Sequence, residues 1–330
     1  MPLETLTRAP IEDITRRRFL TAFPALGIVA AGIACSDDDA APEEPTPSAP
    51  TTRTINAAFG TVEVPANPKR VVVADNVALP YILELGVVPI AAGTLEPSYF
   101  GGHDFHPALY DLGIADSVPF QRDTPDYELV ARMQPDLIIG STFALVNRVA
   151  DGVETYRKLA PVAAVDSDLP VFEQIRGYAQ ILGREAEAEK LIADFESSIR
   201  SIATRVSVEE ISIARAFGDS QIFIYTEKEP FTSLWLDLLG VKVVPGPKGA
   251  SASGTIIAPA ERLGELKGEA LVVIFGIERL EQNPLWPLLP AVQAGNVHHA
   301  GDYLVYSGNG GLNALREQII GIAEFLASIG

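Results

Sequence analysis

The chain has a single cysteine among its 330 residues, so no disulfide can form within it and packing must hold the fold together. Positive charge is scarce. The 25 Lys and Arg stand against 43 Asp and Glu, and the net charge of −18 argues against nucleic acid as a partner. There is no Gly-x-Ser-x-Gly turn, no Gly-x-Gly-x-x-Gly behind a strand and no His-Glu-x-x-His. Gly249 to Gly254 is rich in small residues but lacks the lysine of a phosphate-binding loop. An anchored enzyme is therefore the least favoured class, and no intrinsic cofactor is expected. Histidine is limited to His103, His106, His298 and His299. A bare transition-metal site needs several His, Asp or Glu ligands. The neighbouring His298 and His299 would point to opposite faces of a strand. A metal-ion reading thus rests on His103, His106 and one distant histidine, and is not preferred.

No uncharged run is long enough for a comfortable membrane span, which needs about 20 apolar residues. The run from Phe19 to Ala34 is shorter, and Arg16-Arg17-Arg18 precedes it. A basic stretch followed by such a run is the layout of a signal peptide, and the paired arginines resemble a twin-arginine export signal. The run closes on Gly32-Ile33-Ala34-Cys35, which resembles the lipobox of bacterial lipoproteins, with Gly32 where Leu is usual. On this reading residues 1–34 are removed and Cys35 carries the lipid. Cleavage takes away Arg8, Arg16, Arg17 and Arg18 together with Glu4, Glu12 and Asp13, so the negative excess grows from 18 to 19. Residues 35–52 are rich in Asp, Glu, Pro, Ala and Thr and read as a disordered tether.

From Arg53 onward, short apolar runs alternate with helical patterns. Val71–Ala74, Val87–Ala92, Leu137–Ile139 and Val162–Val165 read as strands, with helices over Leu79–Leu85, Asp126–Met133 and Thr155–Leu159. This alternation implies a mostly parallel sheet. From Val171 to Arg205 a helical pattern runs longer than an ordinary globular helix, with Gly183 a candidate break. Strands are then expected at Ile211–Phe217, Gln221–Tyr225, Val241–Val244, Leu271–Phe275 and Val297–Ala300. Helices are expected at Phe231–Leu239 and Leu312–Ile329. The expectation is an α/β fold of two Rossmann-like lobes, 53–170 and 206–330, joined by one long helix over 171–205. A weak repeat links the halves. Glu128 and Glu261 each open a helix after a proline, and each is followed eight residues later by an acid, Asp136 or Glu269, and a strand. One glutamate in a first turn only suits the helix dipole, but two matched ones invite a functional reading.

The sequence resembles the class III periplasmic binding proteins that serve ferric siderophores, haem and cobalamin. The resemblance is carried by Asn67-Pro68-Lys69-Arg70-Val71, Leu83-Glu84-Leu85-Gly86-Val87, Tyr127-Glu128-Leu129, Gln134-Pro135-Asp136-Leu137, Asn283-Pro284-Leu285-Trp286 and Gly295-Asn296-Val297. It implies a lipid-anchored, extracytoplasmic monomer that holds a ferric chelate between its lobes. It also implies delivery to a membrane ABC permease driven by a separate ATPase. Glu128 and Glu261 match the surface glutamates that dock on permease arginines, and Arg122 matches an arginine that contacts the iron-bound ligand. Tyr99, Phe100, Tyr225, Arg279, Tyr303 and Tyr306 are further pocket candidates, each placed after a strand. A ferric siderophore is the preferred ligand, with haem, cobalamin or a bare metal ion as alternatives. Trp235 is expected in the core and Trp286 as an anchor at a helix start.

Overall fold

The computed structural model describes residues 51–95 except 76, 116–120 as backbone, 125–147, 152–216, 221–301 except 247 and 253, and 311–329. All of these lie in one folding unit, Ala49–Gly330. Among them no helix is long and apolar enough to cross a membrane.

In lobe 1 the strands are β3 (Val71–Val73), β4 (Ala91–Leu95), β5 (Asp116–Phe120), β6 (Leu137–Ser141) and β7 (Val162–Val165). They form one sheet in the order β5-β4-β3-β6-β7, parallel throughout. Every residue of β3, β6 and β7 is buried. A parallel sheet covered on both faces demands such continuous apolar runs. Four short helices serve this lobe among the described residues: α1 (Ala78–Glu84), α2 (Tyr127–Arg132), α3 (Thr142–Asn147) and α4 (Gly152–Arg157). An antiparallel hairpin, β1 (Thr52–Ala57) and β2 (Gly60–Pro65), leads into the lobe and was not foreseen. Arg53 on β1 donates to the carbonyls of Gln180 and Ile181, and Ala58 N–H donates to Ala164 O at 2.9 Å.

The long helical stretch is two helices, α5 (Val171–Leu182) and α6 (Glu185–Ala203), rather than one unbroken rod. Gly183 adopts a left-handed conformation (φ 69°) and ends α5, which is why the break falls there. The connector proper is α6, roughly 28 Å long at 1.5 Å per residue. Its buried residues Ala188, Ile192, Phe195, Ile199 and Ile202 recur every three or four positions and form one stripe.

Lobe 2 departs from pure βα alternation. Its strands are β8 (Glu210–Ala216), β9 (Gln221–Tyr225), β10 (Lys242–Val243), β11 (Thr255–Pro259), β12 (Ala270–Phe275) and β13 (Val297–His299). The order is β11-β9-β8-β12-β13, with β10 beside β8. β8 is parallel to β12 and β10, and β12 to β13, but β9 is antiparallel to both β8 and β11. Helix α7 (Pro230–Leu239) is capped by the Glu229 carboxylate, which accepts Thr232 N–H at 2.7 Å, and ends at left-handed Gly240. Trp235 in this helix is fully buried, as expected. The helix expected to open at Glu261 is a 3-10 helix, Ala260–Glu265, and Trp286 begins another, Trp286–Leu288. Short α8 (Ile277–Glu281) and α9 (Pro290–Ala294) precede the closing helix α10 (Gly311–Ser328).

The repeat has a structural meaning. The Asp136 carboxylate accepts the N–H groups of Lys69 and Arg70 at 2.7 and 2.9 Å, just before β3. Glu269 accepts those of Glu209 and Glu210, both at 3.1 Å, at the start of β8. Each acid thus ties the start of one central strand to the start of its neighbour.

One apolar cluster runs through the whole unit. It contains Val73 and Ile139 of lobe 1, Ile213 and Val272 of lobe 2, the stripe of α6, and Leu315, Ile319 and Ile322 of α10. Separate clusters cover the other face of each sheet. Phe195→Ala should cost about 3–5 kcal/mol. Because the core is shared, thermal unfolding of this variant should remain one transition, and two resolved transitions in calorimetry would contradict the shared core.

Candidate functional site

Strands β3, β4, β5, β6 and β7 all end at the same edge of lobe 1, and β8, β12 and β13 end together in lobe 2. In open α/β sheets ligands bind beyond such carboxyl ends. We refer to this edge as the rim.

In lobe 1 the rim is shaped by Asp75, which follows β3 and is fully buried. Its carboxylate accepts N–H groups from Val77 (2.9 Å), Ala78 (2.8 Å) and Ser141 (2.6 Å), joining β3, α1 and β6. Burial pushes this carboxyl above its ordinary value, and the three N–H donors oppose the shift. Beyond β6, Phe143 is 42% exposed.

In lobe 2 the rim carries a row. Arg215 on β8 lies in register with Phe275 on β12 and with Phe223 on β9. Its guanidinium carbon sits 4.2 Å from the centre of the Phe223 ring. Phe275 is 43% exposed. The turn after β12 hugs β8: a Cβ at Gly276 (φ +73°) would lie 2.5 Å from Ala216 O, so only glycine fits. Glu229 is buried near Arg215. Burial raises its carboxyl, while the Thr232 N–H and the charge of Arg215 pull it down. A half-buried arginine held over an aromatic ring can do two things chemically. It can donate to anionic oxygens through a planar fork, and it can offer flat apolar surface to a ligand body.

The sequence candidates fare differently. Arg279 lies on α8, one helical turn past the end of β12, and is exposed at the rim. Tyr225 is a correction. It was placed on the assumption that its strand ran with the others, but β9 runs antiparallel, so Tyr225 sits at the opposite edge, 4% exposed in the shared core. Arg122, Tyr99, Phe100, Tyr303, Tyr306 and Cys35 lie outside the described residues. Arg215 and Phe275 were missed. An arginine inside the run Ile211–Phe217 reads as strand chemistry until the register shows it at the rim.

Glu128 and Glu261 are both exposed in first turns. Asp126 accepts Leu129 N–H at 2.8 Å and fixes the turn of Glu128. Asn283 donates to Ala260 O at 2.8 Å and holds the turn of Glu261. Among the described residues no group of three or more His, Cys, Asp or Glu could hold a metal ion. His298 instead stacks on Phe325 at 4.9 Å, and burial lowers its pKa. A cavity of about 560 Å³ lies between β1, the carboxyl end of β7, α5 and α6. Its one arginine, Arg176, is already held by Glu173 and Glu189.

Comparison with known proteins extends this picture. A periplasmic binding protein family model matches residues 117–304. The probable siderophore-binding lipoprotein YfiY of Bacillus subtilis is 26% identical over 285 residues, 80% of this chain and 84% of that protein. The iron-uptake system-binding protein of the same organism is 27% identical over 187 residues, and the match spans 57% of it. The iron(3+)-hydroxamate-binding protein FhuD of B. subtilis is 30% identical over 207 residues, 62% of this chain and 58% of that protein. Staphylococcus aureus SirA, solved with staphyloferrin B, superposes with a TM-score of 0.66 at 22% identity, covering 83% of this chain and 98% of that one, which shows the same fold. Two α/β lobes on a helical connector, with a family match across more than half the length, carry one conclusion: the chain belongs to the periplasmic binding protein family, whose members bind substrates rather than transform them.

Proposed function

We propose that this protein is the extracytoplasmic solute-binding component of an ABC importer, and that its ligand is a ferric siderophore bound at the rim between the lobes. The observation that carries this is Arg215 held over the Phe223 ring, with Phe275 exposed on the neighbouring strand, at the carboxyl ends of the lobe 2 strands where open α/β sheets bind ligands. The relatives named for siderophore, hydroxamate and iron uptake support iron chelates as the class. The chain is strongly acidic, so an anionic chelate needs a locally cationic rim. Arg215 and Arg279 supply that in lobe 2, and Arg122 is proposed for lobe 1. Tyr99, Phe100, Tyr303 and Tyr306 stay in the proposal as flanking aromatics. No covalent step is required. The ligand is held, the lobes shift slightly around the shared core, and the protein is handed to its permease.

Docking is proposed through Glu128 and Glu261, one carboxylate per lobe, meeting cations on the permease. Such complementarity chiefly sets orientation and on-rate. Export by a twin-arginine-type signal and lipidation at Cys35 complete the reading, and the mature protein is proposed to act as a lipid-anchored monomer.

Quenching of intrinsic fluorescence by a panel of ferric hydroxamates, catecholates and carboxylates tests the ligand class. At least one chelate should bind with submicromolar affinity, and haem, cobalamin or free zinc binding better than every chelate would sink the reading. Arg215→Ala should weaken the preferred chelate by roughly ten- to a hundredfold, as loss of a charge-assisted contact implies. Glu128→Arg combined with Glu261→Arg should leave chelate affinity intact while abolishing uptake of labelled iron by cells. Unchanged uptake would remove the docking assignment. Cys35→Ser should move the protein from the membrane fraction to the soluble one.

A further inference from the structure

Helix α1 of lobe 1 ends on Glu84, and α10 begins at Gly311, more than two hundred residues later. Their ends meet. Glu84 Oε2 accepts Leu312 N–H at 2.8 Å and Oε1 accepts Asn313 N–H at 2.7 Å. First-turn N–H groups have no partner inside their own helix and carry its positive end. The Glu84 carboxylate supplies both missing acceptors from another element. The fit is tight enough to dictate a residue. A Cβ on Gly311 (φ +80°) would lie 2.7 Å from Glu84 Oε1 and 2.9 Å from Pro80 Cβ.

Farther along, α10 is fastened to lobe 2. Gln318 donates to Ala300 O at 2.6 Å, beyond β13, and Phe325 stacks on His298. Between these points Leu315, Ile319 and Ile322 bury against the shared core. Helix α10 is thus a tie-bar, pinned to lobe 1 by one carboxylate and to lobe 2 by its middle and end. Among the described residues, Glu84 provides its hydrogen bonds to α1.

That anchor is titratable. Burial pushes the Glu84 carboxyl up to about 7, against the opposing pull of the Asn313 and Leu312 N–H groups, the Asn313 side chain and the charge of Arg316. The ionisable groups around it among the described residues are few. Tyr81 faces it from α1 itself and stacks at 5.5 Å on Tyr178 of α5. Burial raises both phenols far above their usual range, so both stay neutral. Arg316 faces it from α10 and also meets Glu317.

We propose that Glu84 is a positioning residue that sets the angle between the lobes, and that gain or loss of its proton switches the tie between a state in which both carboxyl oxygens accept and one in which a single oxygen does. An ionised carboxylate accepts on both oxygens. The neutral acid carries a hydroxyl on one of them, which turns that oxygen into a donor facing an N–H. The global and local effects of pH have opposite signs. The folded carboxyl holds its proton up to about pH 7 and the unfolded one only to about 4.5, so the fold gains stability as pH falls through that window. Over the same window the tie loses a bond. The consequence for ligand retention rests on the inter-lobe binding proposed above; the tie itself does not.

The test follows the Leu312 and Asn313 amide resonances in the full-length apo-protein from about pH 5 to about pH 9. Both should titrate with a midpoint near neutrality, and the change should vanish in Glu84→Gln, which mimics the neutral acid. Spin labels on Glu154→Cys and Glu281→Cys, in a Cys35→Ser background, report the lobe separation by electron double resonance. The distribution should broaden in wild type below neutrality and in Glu84→Gln at every pH, although Glu84→Gln should melt no lower than wild type at pH about 8. Amides that do not titrate, or a lobe distribution identical in wild type and Glu84→Gln, would overturn the proposal. Should Glu84→Gln fail to fold, the wild-type titration and its lobe distribution decide alone. A ferric chelate found to bind should leave Glu84→Gln about two- to tenfold faster, the worth of one hydrogen bond. If no chelate binds even to wild type, the ligand reading fails while the amide titration still judges the tie.

Discussion

The structure depends on the burial of one stripe. Ile192, Phe195, Ile199 and Ile202 on α6 enter an apolar cluster that also holds the central strands of both sheets. At about 25 cal/mol per Å² of apolar surface, a stripe of such side chains is a large share of what keeps the lobes together. Domains that touch through small polar interfaces move freely, and those that share a large apolar one do not. Here the lobes are two faces of a common core. Small rotations about α6 are open to them, and wide opening would expose that core to water. The same burial explains how a chain with no possible internal disulfide holds two lobes in register.

Much of this was legible beforehand, for identifiable reasons. β3, β6 and β7 are buried on both faces and so announce themselves as unbroken apolar runs. Gly183 could be read as a stop because a left-handed cap needs glycine. What could not be read was direction and register. Nothing in Gln221–Tyr225 distinguishes an antiparallel strand from a parallel one, so Tyr225 was put at the wrong edge. Arg215 was overlooked by the same ignorance, since its meaning comes from lying across from Phe275 and Phe223. The β1–β2 hairpin hid in the polar continuation of the tether, where Arg53 and Thr54 look like loop residues until Arg53 is seen capping α5.

Electrostatics divide the molecule. The overall charge is strongly negative, yet the rim of lobe 2 gathers Arg215 and Arg279. At physiological salt, charges more than about 8 Å apart are largely screened. A ligand at the rim therefore feels the nearby arginines far more than the distant surface acids. Glu229 is buried and interacts electrostatically with Arg215.

Asp136 and Glu269 grip the starts of the central strands at the edge opposite the rim. Each sheet is therefore sewn shut at one end and open at the other. Mutations accumulating in the open-end loops do not unravel the strands that carry them. A lineage can exchange one cargo for another there while the sewn end preserves the architecture. This is a physical basis for relatives only about a quarter identical to share one fold across most of their length.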